Sequence, residues 1–254
     1  MNIQTVVQHF HGRVWLKAAI AALALGVAIL PLTANAASDL QSQASACNGS
    51  LTCLISWGDA RIAERLTALR ILSGKVKDRQ SDHSITSDQA ATLQADATTN
   101  TNNLTALKAK IDADTEPRRA LADDKSIFVT YRIFAAVLPH DYRLLWFDVM
   151  QNLESKMRGL IPTIEDAIKG APSSIQGQLN TLFADYKNQL AAAEAQFDAI
   201  NTDLPQITPA NFDSNPTGFE ATLANLRGDE NVAAQDLRSA AKDLHQMVQL
   251  AKAH

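Results

Sequence analysis

Apolar side chains spaced alternately four and three residues apart are what most narrows the folds open to this chain. From Leu179 the series runs through Phe183, Tyr186, Leu190, Ala193, Phe197 and Ile200 without a lapse. An α-helix turns once every 3.6 residues, so this spacing draws a single apolar stripe along one helix. A strand cannot use it, because strand faces alternate every second residue.

The same pattern recurs along the chain. Ile62, Leu66, Leu69 and Val76 form a stripe with Asp59 as the expected cap. A second stripe follows the turn sequence Ser81-Asp82-His83-Ser84: Leu93, Ala97, Asn100, Leu104, Leu107 and Ile111, opened by a capping box at Thr86 and Gln89. Asn100 is the one polar residue on that seam, a position where an amide can fix register. The short link predicts an antiparallel hairpin over 57–113.

A central helix over 116–169 follows, with Thr115 as cap and Pro117 in the first turn, where a missing N–H costs nothing. Its apolar positions are Leu121, Ile127, Phe128, Tyr131, Phe134 and Leu138, then Trp146, Met150, Leu153, Met157, Leu160 and Ile164. Pro139 is expected to break it and Pro162 to kink it. Helices over 173–203 and 217–253 complete the set, separated by a loop with Pro205, Pro209 and Pro216. The last stripe runs from Phe219 through Leu223, Leu226, Glu230, Ala233, Leu237, Ala240, Leu244 and Met247 to Ala251. Aromatic residues make up only 6% of the chain, too few for a typical β sandwich. The expected fold is therefore all-α: an elongated antiparallel helical bundle with coiled-coil-like heptad packing.

The first 36 residues read as a cleavable secretory signal. Arg13 and Lys17 precede an apolar run from Ala18 to Leu32, which is short for a membrane span. Ala34-Asn35-Ala36 fits the small-x-small rule of signal peptidase, which places cleavage after Ala36. An uncleaved anchor is the alternative. Export would leave a mature chain with no transmembrane segment, secreted or held in the cell envelope or periplasm. Losing those two cations takes the net charge from −4 to −6. An acidic chain has no electrostatic reason to hold nucleic acid.

Residues 37–56 read as a flexible leader carrying Cys47 and Cys53. Outside the cytoplasm these two are expected to form a disulfide across the turn residues Asn48-Gly49-Ser50. Ala44-Ser45-Ala46-Cys47 has some likeness to a lipoprotein cleavage box, but polar residues separate it from the apolar run. The disulfide is the favoured reading.

Two segments carry a resemblance. Leu104-Thr105-Ala106-Leu107-Lys108-Ala109-Lys110-Ile111-Asp112-Ala113-Asp114-Thr115 and Arg132-Ile133-Phe134-Ala135-Ala136-Val137-Leu138-Pro139 resemble a group of uncharacterised exported coiled-coil proteins of bacteria. The order of hairpin, central helix and long C-terminal helices is similar over most of the mature chain. The resemblance implies a signal peptide and a helical bundle, and no activity.

Candidates for chemistry are few. His83, His140, His245 and His254 have no histidine one turn away and no HExxH context. Asp112, Asp114, Glu116 and Asp123 match positions 1, 3, 5 and 12 of a calcium loop, but Pro117 stands where that loop needs glycine. Acids at a helix N-terminus are the simpler account. There is no nucleophile elbow and no glycine-rich phosphate loop. Neither a cofactor nor an enzymatic activity is expected. The best candidate for a ligand or partner patch is the aromatic and cationic group around Pro139: Phe128, Tyr131, Phe134, His140, Tyr142, Arg143 and Trp146. Rings filling a wide layer of the core are the competing account. The functional expectation is a non-enzymatic structural or interaction protein of the cell envelope or exterior with an unidentified protein partner, self-association through its last helix being one option. A ligand-binding module with a pocket near Pro139 is the alternative.

Overall fold

A computed structural model describes residues 46–253. The signal, the Ala36 cleavage site, most of the leader and His254 lie outside the described residues. The described chain is all-α, a bundle of packed helices, with no strand among its described residues. The helices are α1 (Leu51–Ser81), α2 (Ser87–Asp112), α3 (Pro117–Val129), α4 (Leu138–Arg158), α5 (Ile161–Lys169), α6 (Ser173–Asp203), α7 (Pro209–Ser214) and α8 (Pro216–Lys252). A π-helical turn, Ile133–Val137, runs directly into α4, and a 3-10 turn, Leu204–Gln206, follows α6.

Contacts divide the described residues into two compact units. One holds 46–145 and 205–222; the other holds 146–204 and 223–253.

In the first unit α1 and α2 form the expected hairpin. Asp59 meets Lys108 at 2.8 Å, and Ser73 donates to Gln94 at 2.6 Å. The second pair lies fourteen residues further along α1 and fourteen residues earlier on α2, which is antiparallel register. The Thr86 capping box forms as expected: Gln89 N–H donates to Thr86 Oγ1, and Thr86 N–H to Gln89 Oε1. Asn100 spends its amide differently from the expectation. It donates to Asp96 O, one turn back on its own helix.

Four boundaries differ from the sequence reading. α1 starts at Leu51, eight residues before Asp59, because Ser50 caps it by accepting from Cys53 N–H. The flexible-leader expectation therefore fails over its last part. The Cys47–Cys53 disulfide is formed, across a turn that puts Asn48 and Gly49 at positive φ. Cys47 is buried with Leu54 and Ala120, so the bond belongs to a small core. At α3 the cap is Glu116, without a side-chain bond, and not Thr115. The central helix breaks at Thr130–Arg132, ahead of Pro139, which sits in the first turn of α4. A first-turn proline is compatible with a helix. Pro162 likewise lies in the first turn of α5, after a break at Gly159–Leu160.

In the second unit α4 and α6 run antiparallel. Phe147 meets Phe197 edge-on at 5.8 Å, and Tyr186 donates to Met157 O at 2.6 Å. The stripe read from Leu179 to Ile200 is buried at every position. Leu226, Ala233, Leu237, Ala240, Leu244 and Met247 of α8 are buried as well, while Glu230 is only partly covered.

Candidate functional site

The residues around the α3–α4 break are where the sequence placed its candidate patch, and the structure divides that patch. Phe128 and Phe134 come together. Between them lies a residue absent from the sequence reading: the Arg65 guanidinium, 4.6 Å from the centre of one ring and 4.7 Å from the other. Trp57 stacks on Phe128 at 5.6 Å, extending the aromatic group.

Arg65 reaches this place because of α1's register. The buried positions of α1 are Leu54, Gly58, Ile62, Arg65, Leu69, Leu72 and Val76, so the seam passes through Arg65 and leaves Leu66 at its edge. Only 4% of Arg65 is exposed. Its Nη1 donates to Arg61 O at 2.9 Å, and its Nε is buried without a hydrogen-bond partner among the described residues. Burial pushes its pKa down to about 10, partly offset by Glu64 and reinforced by Arg61, so it stays a cation at neutral pH. Glu64 itself is on the surface and pairs with Arg61. Guanidinium over aromatic rings is a favourable arrangement when desolvated.

Arg132 is the second cation. It adopts the left-handed region, φ 45° and ψ 32°, which is uncommon for a side chain with a Cβ. Its Nε donates to Asp213 Oδ1 at 2.9 Å, and its guanidinium lies 4.8 Å from the centre of Phe212. Both partners come from α7, and Phe212 in turn packs edge-on against Phe219 at 5.2 Å. The proline-rich loop is thus a clamp on the break.

Arg65, Ile127, Phe128, Arg132, Ile133, Phe134, Ala135 and Phe212 line a half-open cavity of about 20 Å³. That is room for about one water molecule and far below a small-molecule pocket.

The other expected patch residues lie apart from this cavity. Tyr131 is half-buried in the break itself. His140 Nδ1 is 2.9 Å from Asp141 Oδ1, and burial raises the Asp141 pKa against the pull of His140. Tyr142 packs under Lys75 Nζ at 5.0 Å, and burial raises its pKa. Arg143 is fully covered. Trp146 falls in the other compact unit.

Three of the four calcium-loop acids, Asp112, Glu116 and Asp123, sit in separate ion pairs, and Asp114 has one oxygen buried without a partner among the described residues. Asp112 pairs with Lys108 at 2.8 Å and Asp123 with Lys110 at 2.7 Å. Among the described residues no group of three or more histidines, cysteines or acids is placed to hold a metal ion. Asp124 is the unexpected member. It is completely buried, neither oxygen has a hydrogen-bond partner among the described residues, and it lies against Gly58 of α1. Burial, then Asp114, Asp123 and Asp59, push its pKa up to about 7.

Sequence reading missed Arg65, Arg132, Phe212, Asp213 and Asp124. Arg65 had a signal: Leu69, Leu72 and Val76 continue a four-three series that reaches back to it. No protein-family model, curated protein or solved structure matches the chain.

Proposed function

We propose that this chain is an exported, non-enzymatic helical-bundle protein that works by presenting helix surfaces to another protein. The observation that carries this reading is how the candidate patch is used. Phe128 and Phe134 of that patch flank Arg65, and Arg132 packs on Phe212 of the α7 clamp, around a space of about 20 Å³. Side chains spent on internal contacts build a scaffold. A Cys47–Cys53 disulfide suits an oxidising compartment. The resemblance carried by residues 104–115 and 132–139 points the same way.

The alternative reading, an organic ligand held near Pro139, draws less support from a cavity of this size. The test is photo-crosslinking in the producing cell. A photoreactive residue replaces Ile71, Val129 or Val232, the large apolar residues most exposed on the described surface. The expected result is one adduct of defined mass, formed from one of these positions and not from the others. No adduct at any position, together with a thermal shift produced by a metabolite, would favour the alternative.

A further inference from the structure

We propose that Asn48 is a self-modification site: its side chain closes on the Gly49 nitrogen to a succinimide, which water opens to isoaspartate and aspartate. The sequence sets this residue apart. Asn48 is the one asparagine in the chain that is followed by glycine. Every other asparagine precedes a residue with a side chain, which crowds the nitrogen that must attack.

The reaction asks for access and for a turn that can rearrange. Asn48, Gly49 and Ser50 are all exposed, and a Cβ placed on Gly49 would meet nothing within 4 Å. Water and base therefore reach the peptide, and no neighbouring group stands in the way of a rotation. Asn48 has φ 51° and Gly49 φ 74°, and Ser50 N–H donates to Cys47 O at 2.9 Å. Positive φ at both central positions is the type I′ pattern. A succinimide ring holds its residue in the conformation of the first central position of a type II′ turn, where φ is positive as well. Asn48 thus keeps the sign of its φ, and only the peptide plane between Asn48 and Gly49 has to rotate. That rotation takes Gly49 to negative φ, a change glycine makes without steric cost. Both turn types join the same two ends, so the Cys47–Cys53 bond and the start of α1 stay where they are.

The Gly49 nitrogen, once base has taken its proton, attacks Asn48 Cγ. The new C–N bond closes the ring, the bond from Cγ to the amide nitrogen breaks, and ammonia leaves. Water then adds to one of the two ring carbonyls. Opening at Cγ gives aspartate; opening at the backbone carbonyl gives isoaspartate, with the chain now running through Cγ. Either product adds one negative charge two residues ahead of the Ser50 cap. The first turn of α1 has no acid of its own, so the new carboxylate meets the positive end of the helix dipole.

The test incubates the processed chain, its disulfide intact, at pH 8 and at pH 5, and digests it for mass spectrometry. The peptide carrying position 48 should gain about 1 Da as an amide becomes a carboxylic acid, faster at pH 8. Labelling by an isoaspartyl methyltransferase should find isoaspartate in that peptide. Gly49→Ala should lose most of the gain. An unchanged peptide overturns the proposal, as does a gain spread evenly over the other asparagines. Aspartate without isoaspartate marks direct hydrolysis and overturns it too. So does a gain seen only in urea, which would show that the folded turn does not react, and so does a Gly49→Ala chain that reacts as fast as the wild type. If Gly49→Ala does not fold, Asn48→Gln takes its place. Its longer side chain cannot close the same ring, so that peptide should stay unmodified, and an equal gain there overturns the proposal.

Discussion

Tyr186 is covered completely, yet its hydroxyl still donates to Met157 O across the α4–α6 contact. The same carbonyl also accepts Leu160 N–H at 3.0 Å. Tyr186→Phe should therefore cost only about 1 kcal/mol, because the carbonyl keeps one bond when the hydroxyl goes. Urea unfolding with an unchanged slope checks this, and a loss of several kcal/mol would mean the ring itself had moved. Asp124 behaves in the opposite sense. Its folded pKa, about 7, stands above the ordinary carboxylate value of 3.8. The folded chain thus holds a proton that the unfolded chain releases. The stability linked to that proton is complete below about pH 4 and is lost as pH rises through about 7. Asp59 and Asp114 add negative charge around it, while Lys108 and Lys110 are already taken up by Asp59, Asp112 and Asp123. Asp124→Asn should stabilise the protein at pH 8 by on the order of 2 kcal/mol and by much less at pH 5. Equal effects at the two pH values would show that Asp124 does not change its protonation between them.

At the level of elements, the stripes and the turns between helices were legible, and the breaks inside the central helix were not. The four-three series of α6 is buried residue for residue, because a period of apolar side chains is a direct statement of which face is covered. The α1 stripe was misread by one position at Arg65, since polarity argues for the surface and only the register argues for the core. The α3–α4 break was assigned to Pro139, but it is set by Arg132 in the left-handed region and by the grip of Phe212 and Asp213, some eighty residues on. Local propensity holds no record of a contact so distant in sequence. The α1–α3 crossing carries the clearest test of element packing. A Cβ added at Gly58 would lie 2.0 Å from Asp124 Oδ1 and 3.4 Å from Ile111 Cδ1. The Asp124 side chain is short and enclosed, so it cannot swing away. Gly58→Ala should destabilise by about 1–3 kcal/mol despite alanine's better helix propensity. Adding Asp124→Ala should recover part of that loss, and a double variant no better than the sum of its parts would place the strain elsewhere.

For the whole molecule the open question is where it works, and the disulfide sharpens it. Cys47 is bonded to Cys53 and buried with Leu54 and Ala120, close to the start of α1. Lipidation at Cys47 would consume the same thiol and leave Cys53 unpaired, so the two fates exclude each other. Among the described residues no helix is long and apolar enough to cross a membrane. The expectation is that the protein recovered outside the cytoplasm begins at Ala37, with both cysteines oxidised and no acyl group. Intact mass before and after reduction, measured on each cell fraction, reads all three properties at once. A full-length chain in the cytoplasm with reduced cysteines would remove the export on which the proposed role rests. A product beginning at Cys47 would instead make the chain a lipid-anchored one, and the short core around that cysteine would have to reorganise to free its sulfur.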